Sequence, residues 1–134
     1  MTDPKLILLE LLRSNWSLGF TPKFSTDWYD GRENMPQVVV SQVLTRPRYI
    51  GFSEDPSSSD RRFDGTYAVD VWVKGDQEKR QGMICEVDRI IHENCNPGAG
   101  LDFVEVSSWR DLDEGDSHPR LLRSRLHVEV LYYC

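Results

Sequence analysis

The stretch Gly65–Gly75, GTYAVDVWVKG, decides the fold. Its side chains alternate: Tyr67, Val69, Val71 and Val73 share one face, while Ala68, Asp70, Trp72 and Lys74 share the other. Period-two alternation of this kind marks a strand with one face in a core. Gly75 then turns the chain and Asp76 is placed to cap a helix running to about Asn94. Along that segment Met83, Ile84, Val87, Ile90 and Ile91 fall on one helical stripe, and Asn94–Gly100 (NCNPGAG) stops it. Gly82 inside the helix weakens it slightly.

Outward from this strand–helix unit, the same tests place the other elements. Leu101–Trp109 reads as a strand, giving a right-handed crossover if it pairs in parallel with Gly65–Gly75. Arg110–Pro119 reads as an acidic turn. Leu121–Tyr133 is the longest alternating run, with Leu122, Leu126, Val128 and Val130 inward and Arg123, Arg125, His127 and Glu129 outward. On the N-terminal side, Asp3-Pro4 opens a helix containing Leu6–Leu12, apolar around most of its circumference and ending near Ser14-Asn15. Lys23–Tyr29 is a short strand, and Gln37–Leu44 (QVVVSQVL) a β-branched one. Thr45–Arg62, with Pro47, Gly51, Pro56 and the run Ser57-Ser58-Ser59, reads as a long polar loop. The expectation is one α+β domain over residues 1–134: a single mostly antiparallel or mixed β-sheet with two helices packed on one face and a long loop at about 45–62.

Composition narrows the function classes. At 134 residues the chain suits one core without staples. Sixteen basic against twenty-two acidic residues leave a net charge of −6, which disfavours general nucleic-acid binding. Twelve of the cations are Arg, suited to paired planar contacts, although a GC-rich genome produces the same bias. The opening residues lack a basic signal-peptide region, and no apolar run approaches the ~18–20 residues that span a bilayer. Three cysteines without a CxxC pair suit reduced thiols, and Cys85 reads as a small core residue of the second helix.

Catalytic and metal patterns are missing from the sequence. His92 and Cys95 lie three apart, but no further ligand pair completes a zinc site. There is no G-x-S-x-G, and Gly98-Ala99-Gly100 precedes a strand, so no helix N-terminus faces an anion there. Asp111, Asp113, Glu114 and Asp116 lack the terminal Glu of a calcium loop. The expectation is no cofactor, no metal and no enzyme activity. What remains is surface. Arg46, Arg48, Arg61 and Arg62 bracket the long loop, either as a contact arm onto a neighbouring subunit or a nucleic-acid channel, or as a solvated loop of mixed charge. Arg123 and Arg125 lie on a sheet face that is wet unless another chain brings carboxylates. Trp72 alternates away from the core face, which requires either a second covered face or an interface. These seven residues are the candidate interface.

The order of elements resembles the tail terminator and tail-completion proteins of the neck of tailed viruses. The likeness rests on the Asp3-Pro4-Lys5-Leu6 helix start, the β-rich Pro36–Leu44, the unit Tyr67–Val73 with Asp76–His92, and two closing strands. The long loop and the Arg110–Pro119 turn depart from the family pattern. The resemblance implies a non-enzymatic virion subunit, assembled in the host cytoplasm, that forms a ring with copies of itself, usually six-fold. The ring would cap the tail-tube protein, face the head–tail connector, let DNA pass through an acidic lumen, and involve no membrane. Ring closure needs two different patches, for which the 45–62 loop and the outward face of the last strand are the candidates. Two other readings stand beside it: a connector or stopper subunit of head completion, and a small α+β enzyme or ligand-binding domain with Trp72, His92 and Cys95 around a pocket.

Overall fold

A computed structural model describes residues 3–32, 36–49, 61–98, 100–112 and 121–133. The chain runs α1 (Pro4–Asn15), β1 (Lys23–Thr26), β2 (Gln37–Tyr49), β3 (Arg61–Lys74), α2 (Gln77–Glu93), β4 (Phe103–Asp111) and β5 (Leu121–Tyr133). The strands form one mixed sheet in the order β1-β2-β3-β5-β4. Only β1 and β2 are parallel neighbours; the other three pairs are antiparallel. The fold is α+β, as the pattern of elements requires.

Both helices cover the same face. α1 packs on β1 and β2, α2 packs on β3, β4 and β5, and the helices touch each other. Between the layers lies one cluster: Leu8 and Leu12 of α1, Met83, Ile84, Val87, Ile90 and Ile91 of α2, and Val38, Val40, Tyr67, Val69, Val71, Leu126 and Val128 of the sheet. Helix starts are where the caps put them. Asp3 accepts from the Lys5 N–H with Pro4 in the first turn, and Asp76 accepts from the Lys79 N–H. Gly65 faces this core without a side chain for a steric reason: a Cβ there would sit 2.7 Å from the Tyr67 ring.

Several sequence expectations change, beginning with the Lys23–Tyr29 strand, which ends at Thr26. The long loop is shorter than 45–62, because Leu44–Tyr49 pairs with Arg61–Thr66 and extends the β2–β3 hairpin. Pro47 fits because β2 has lost its β1 neighbour beyond Val40, and proline is tolerated in an edge strand. Residues 50–60 of that expected loop lie outside the described ones, as does most of the expected Arg110–Pro119 turn; Arg110 and Asp111 belong to β4. The strands flanking α2 are parallel but not adjacent, since β5 inserts between β3 and β4. Finally, Cys85 is exposed: it falls between Ile84 and Glu86, just off the buried stripe.

A buried carboxylate locks the helices together. Glu86 of α2 is 4% exposed and accepts from the Ser17 N–H at 2.6 Å, the Ser17 hydroxyl at 2.8 Å and Arg89 Nε at 2.6 Å. Arg89 also donates to the Asn15 carbonyl at the open end of α1. Burial alone would raise the Glu86 pKa, but Arg89 and Ser17 overcome it and hold the carboxyl at about 2, below its ordinary 4.5. The depressed value means that Glu86 stabilises the fold fully above about pH 4.5 and loses that contribution as pH falls toward about 2. Glu86→Gln should therefore cost roughly 2–3 kcal/mol at neutral pH and much less under acid, read from urea midpoints across that range. Equal losses at both ends of the range would contradict this role.

Candidate subunit interface

The sheet face away from the helices is divided in two. Over its β2–β3 half lies a strap, residues 27–32, which follows β1. Asp27 at its start has a positive φ of 59° and pairs with Lys5 of α1 at 2.7 Å. Asp30 is held by a reciprocal pair: its N–H donates to Gln37 Oε1 at 2.9 Å, and Gln37 Nε2 donates to its carbonyl at 2.7 Å. The Arg32 N–H, the Arg32 guanidinium and Lys23 keep the Asp30 carboxyl at about 2. The strap lays Tyr29 on Trp72, with ring centroids 4.1 Å apart and nearly parallel. Burial pushes the Tyr29 hydroxyl above its ordinary value, and Asp30 adds to it.

This cover explains why the second face of β3 is buried. Ala68, Asp70 and Trp72 are all below a tenth exposed. Asp70 needs cations, and β5 supplies two from its outward face. Arg125, directly opposite in register, forks onto the carboxylate through Nε at 2.8 Å and Nη2 at 3.0 Å. Arg123, opposite Trp72, reaches diagonally to Asp70 at 2.8 Å, and its guanidinium lies 4.6 Å from the Trp72 ring centre. Hydrogen bonding to Asp70 is the main reason the Arg125 pKa rises. The Trp72 Nε1 donor is buried with no acceptor among the described residues. A small hollow of about 180 Å³ remains between the strap and the two arginines.

Three of the seven sequence candidates, Trp72, Arg123 and Arg125, therefore form one cluster. Sequence reading missed its centre, Asp70, as well as Tyr29 and Gln37. The first left a signal, an acid alternating with Trp72 on the non-core face; the strap left none.

The remaining four candidates lie at the other end of the face, on β2 and β3 rather than on a loop. Arg46 is exposed, and Arg62 pairs with Asp64 at 2.9 Å. The backbones of Arg48 and Arg62 are paired in register, as are Tyr49 and Arg61. Arg46 and Arg62 rim a shallow depression of about 570 Å³ whose apolar floor includes Leu44, Phe103 and Leu131, with Glu105 and Glu129 on its far side. Leu44 and Phe103 are 47% and 38% exposed. A bulge between Gln42 and Leu44 leaves Val43 exposed beside them.

The pocket reading divides. His92 and Cys95 do line one hollow of about 320 Å³ with Asp88 and Glu105, but Trp72 is across the sheet in the arginine cluster. Among the described residues no three His, Cys, Asp or Glu side chains are grouped to hold a metal ion. No helix among them is long and apolar enough to cross a membrane. No protein-family model matches the chain, and no curated protein matches it.

Asp70→Ala leaves two partly covered guanidiniums without their carboxylate. The expected loss is about 2 kcal/mol, below the usual cost of breaking a fully buried pair because Arg123 and Arg125 keep 19% and 28% of their side chains exposed. Urea unfolding checks it, and an unchanged midpoint would show that Asp70 does not anchor the cluster.

Proposed function

We propose that the chain is a structural subunit of the neck of a tailed virus, a tail terminator or tail-completion protein. In this reading copies close into a ring, six-fold as in the family it resembles, which caps the tail tube and faces the head connector. The observation that supports it best is the nature of the available surface. On the open sheet face and the extended hairpin, apolar Leu44, Phe103 and Leu131 sit among Arg46, Arg62, Glu105 and Glu129. That mixture of apolar floor and charged rim is the chemistry of protein–protein contact.

A cyclic ring needs one patch of each subunit to meet a different patch of the next. The extended β2–β3 hairpin, with Arg46, Arg48, Arg61 and Arg62, supplies the first. The outward face of β5, with Arg123 and Arg125 set beside Trp72, supplies the second. The net charge of −6 suits a lumen that repels duplex DNA and lets it slide. The mature location is then the virion, with assembly in the host cytoplasm.

Particles lacking this protein test the reading under the electron microscope. Filled heads beside overlong or unfinished tails are expected. Heads that leak DNA would instead assign the chain to the connector stopper. In vitro, the purified chain should bind isolated tail tubes, and Leu44→Asp with Phe103→Asp should abolish binding without unfolding the chain. A wild-type chain that never binds tubes, alongside particles with normal tails when it is absent, would end the proposal.

A further inference from the structure

The β4–β5 ribbon sets like charges opposite one another on its open face. Directly opposed residues of an antiparallel pair share a face, and like charges there are destabilising. On the open face Glu105 is in register with Glu129, and Arg110 is in register with Arg125. Ser108 and His127 form the pair between them. Glu105 and Arg110 are exposed. Glu129 has hydroxyl partners, Thr66 at 2.9 Å and Ser107 at 3.4 Å, and Arg125 has Asp70. Arg46 stands across the depression from the two glutamates, while Arg62 is paired with Asp64. Each like-charge pair thus persists, about 13 Å from the other along β5.

We infer that this ribbon is a self-complementary docking surface for a second copy of the same chain. Consider a two-fold axis lying between two open faces, at right angles to the strands and passing His127. It lays β4 over β4 and β5 over β5 in opposite directions. Glu105 then faces the partner's Arg110, and Glu129 faces the partner's Arg125, twice each. A two-fold along the strands would instead set Glu against Glu, so the charges select one of the two arrangements. Faces packed about 10 Å apart are within reach of Arg and Glu side chains from both sides. The same rotation brings the strap, with Trp28 66% exposed, over the partner's depression. The charge pattern and the exposed Trp28 therefore point to one occupant.

The contact is isologous, so it closes a pair and does not propagate. It needs nothing from the neck reading. If both hold, pairing covers the outward face of β5, and the pair is a resting form that opens before a ring can assemble.

Sedimentation velocity on the full chain tests the pairing. Wild type should sediment as a dimer at low salt and dissociate as salt rises. Arg110→Glu sets a carboxylate against the partner's Glu105, and Glu105→Lys sets an ammonium against the partner's Arg110. Each variant alone should associate roughly tenfold or more weakly. Their equimolar mixture restores an opposite charge at every contact and should recover the wild-type dimer, as should the double variant alone. Trp28→Ala should also weaken the dimer. Circular dichroism establishes that each variant is folded. A monomeric wild type at every concentration, single variants that associate like wild type, or a mixture that fails to recover would each overturn the pairing. Tail-tube binding is read separately, so a failed pairing is distinguishable from a failed neck reading.

Discussion

A carboxylate in the middle of the central strand constrains the rest of the molecule. β3 has neighbours on both edges, and both of its faces are covered where Val69, Asp70 and Val71 sit. The helices fill one face with hydrocarbon. On the other, Asp70 is desolvated, and a desolvated charge is tolerated only when paired and hydrogen-bonded. Antiparallel register solves this with two arginines, one opposite and one diagonal. Once Arg123 is committed to Asp70 it lies over Trp72, and Trp72 in turn gives Tyr29 a ring to stack on. The strap, fastened independently through Asp30 and Gln37, then closes over this cluster and leaves the small hollow beside it.

That commitment also determines which surface is left over. Among the described residues the strap covers the β2–β3 half of one end and leaves the β4–β5 ribbon and the depression beside Leu44 open. On the helix side, α1 shows Leu6 and Leu9 beside Pro97, with Glu10, Arg13, Ser14 and Asn15 around them. Specificity in a contact comes from charges whose arrangement rejects wrong orientations. The opposed charges of the open sheet face are such an arrangement.

Local periodicity made much of the fold legible, and non-local pairing hid the rest. β3, α2 and β5 could be read because Tyr67–Val73, Met83–Ile91 and Leu122–Val130 each repeat at the period of their element. Both helix starts were legible from Asp3-Pro4 and Asp76. The far half of β2 was not, since Pro47 and the polar run after it argue locally for a loop, while its pairing with Phe63 is a tertiary decision. Cys85 was misplaced by one position, which on a helix is a rotation of about 100° and the difference between core and water. At the candidate interface, Arg123, Arg125 and Trp72 were legible as residues facing away from the core. Their shared partner was not, because no local rule says that Asp70 will lie opposite Arg125.

Edge protection explains why association should use a face. β4 is an edge strand, and a bare edge invites indiscriminate pairing with other chains. This one is blunted at several points. The Val104 N–H is already taken by the Cys95 carbonyl at 2.9 Å, and a register shift between Val106 and Ser108 breaks the ladder's repeat. Glu105 and Arg110 then stand near the two ends of the strand. Backbone pairing along that edge would have to displace a hydrogen bond, absorb the bulge and bring charges together without selection. The same Glu105 and Arg110, seen from the open face, are opposed to like charges in a fixed register. What discourages a strand from adding at the edge therefore encourages a sheet to settle on the face, in one orientation and not its alternative.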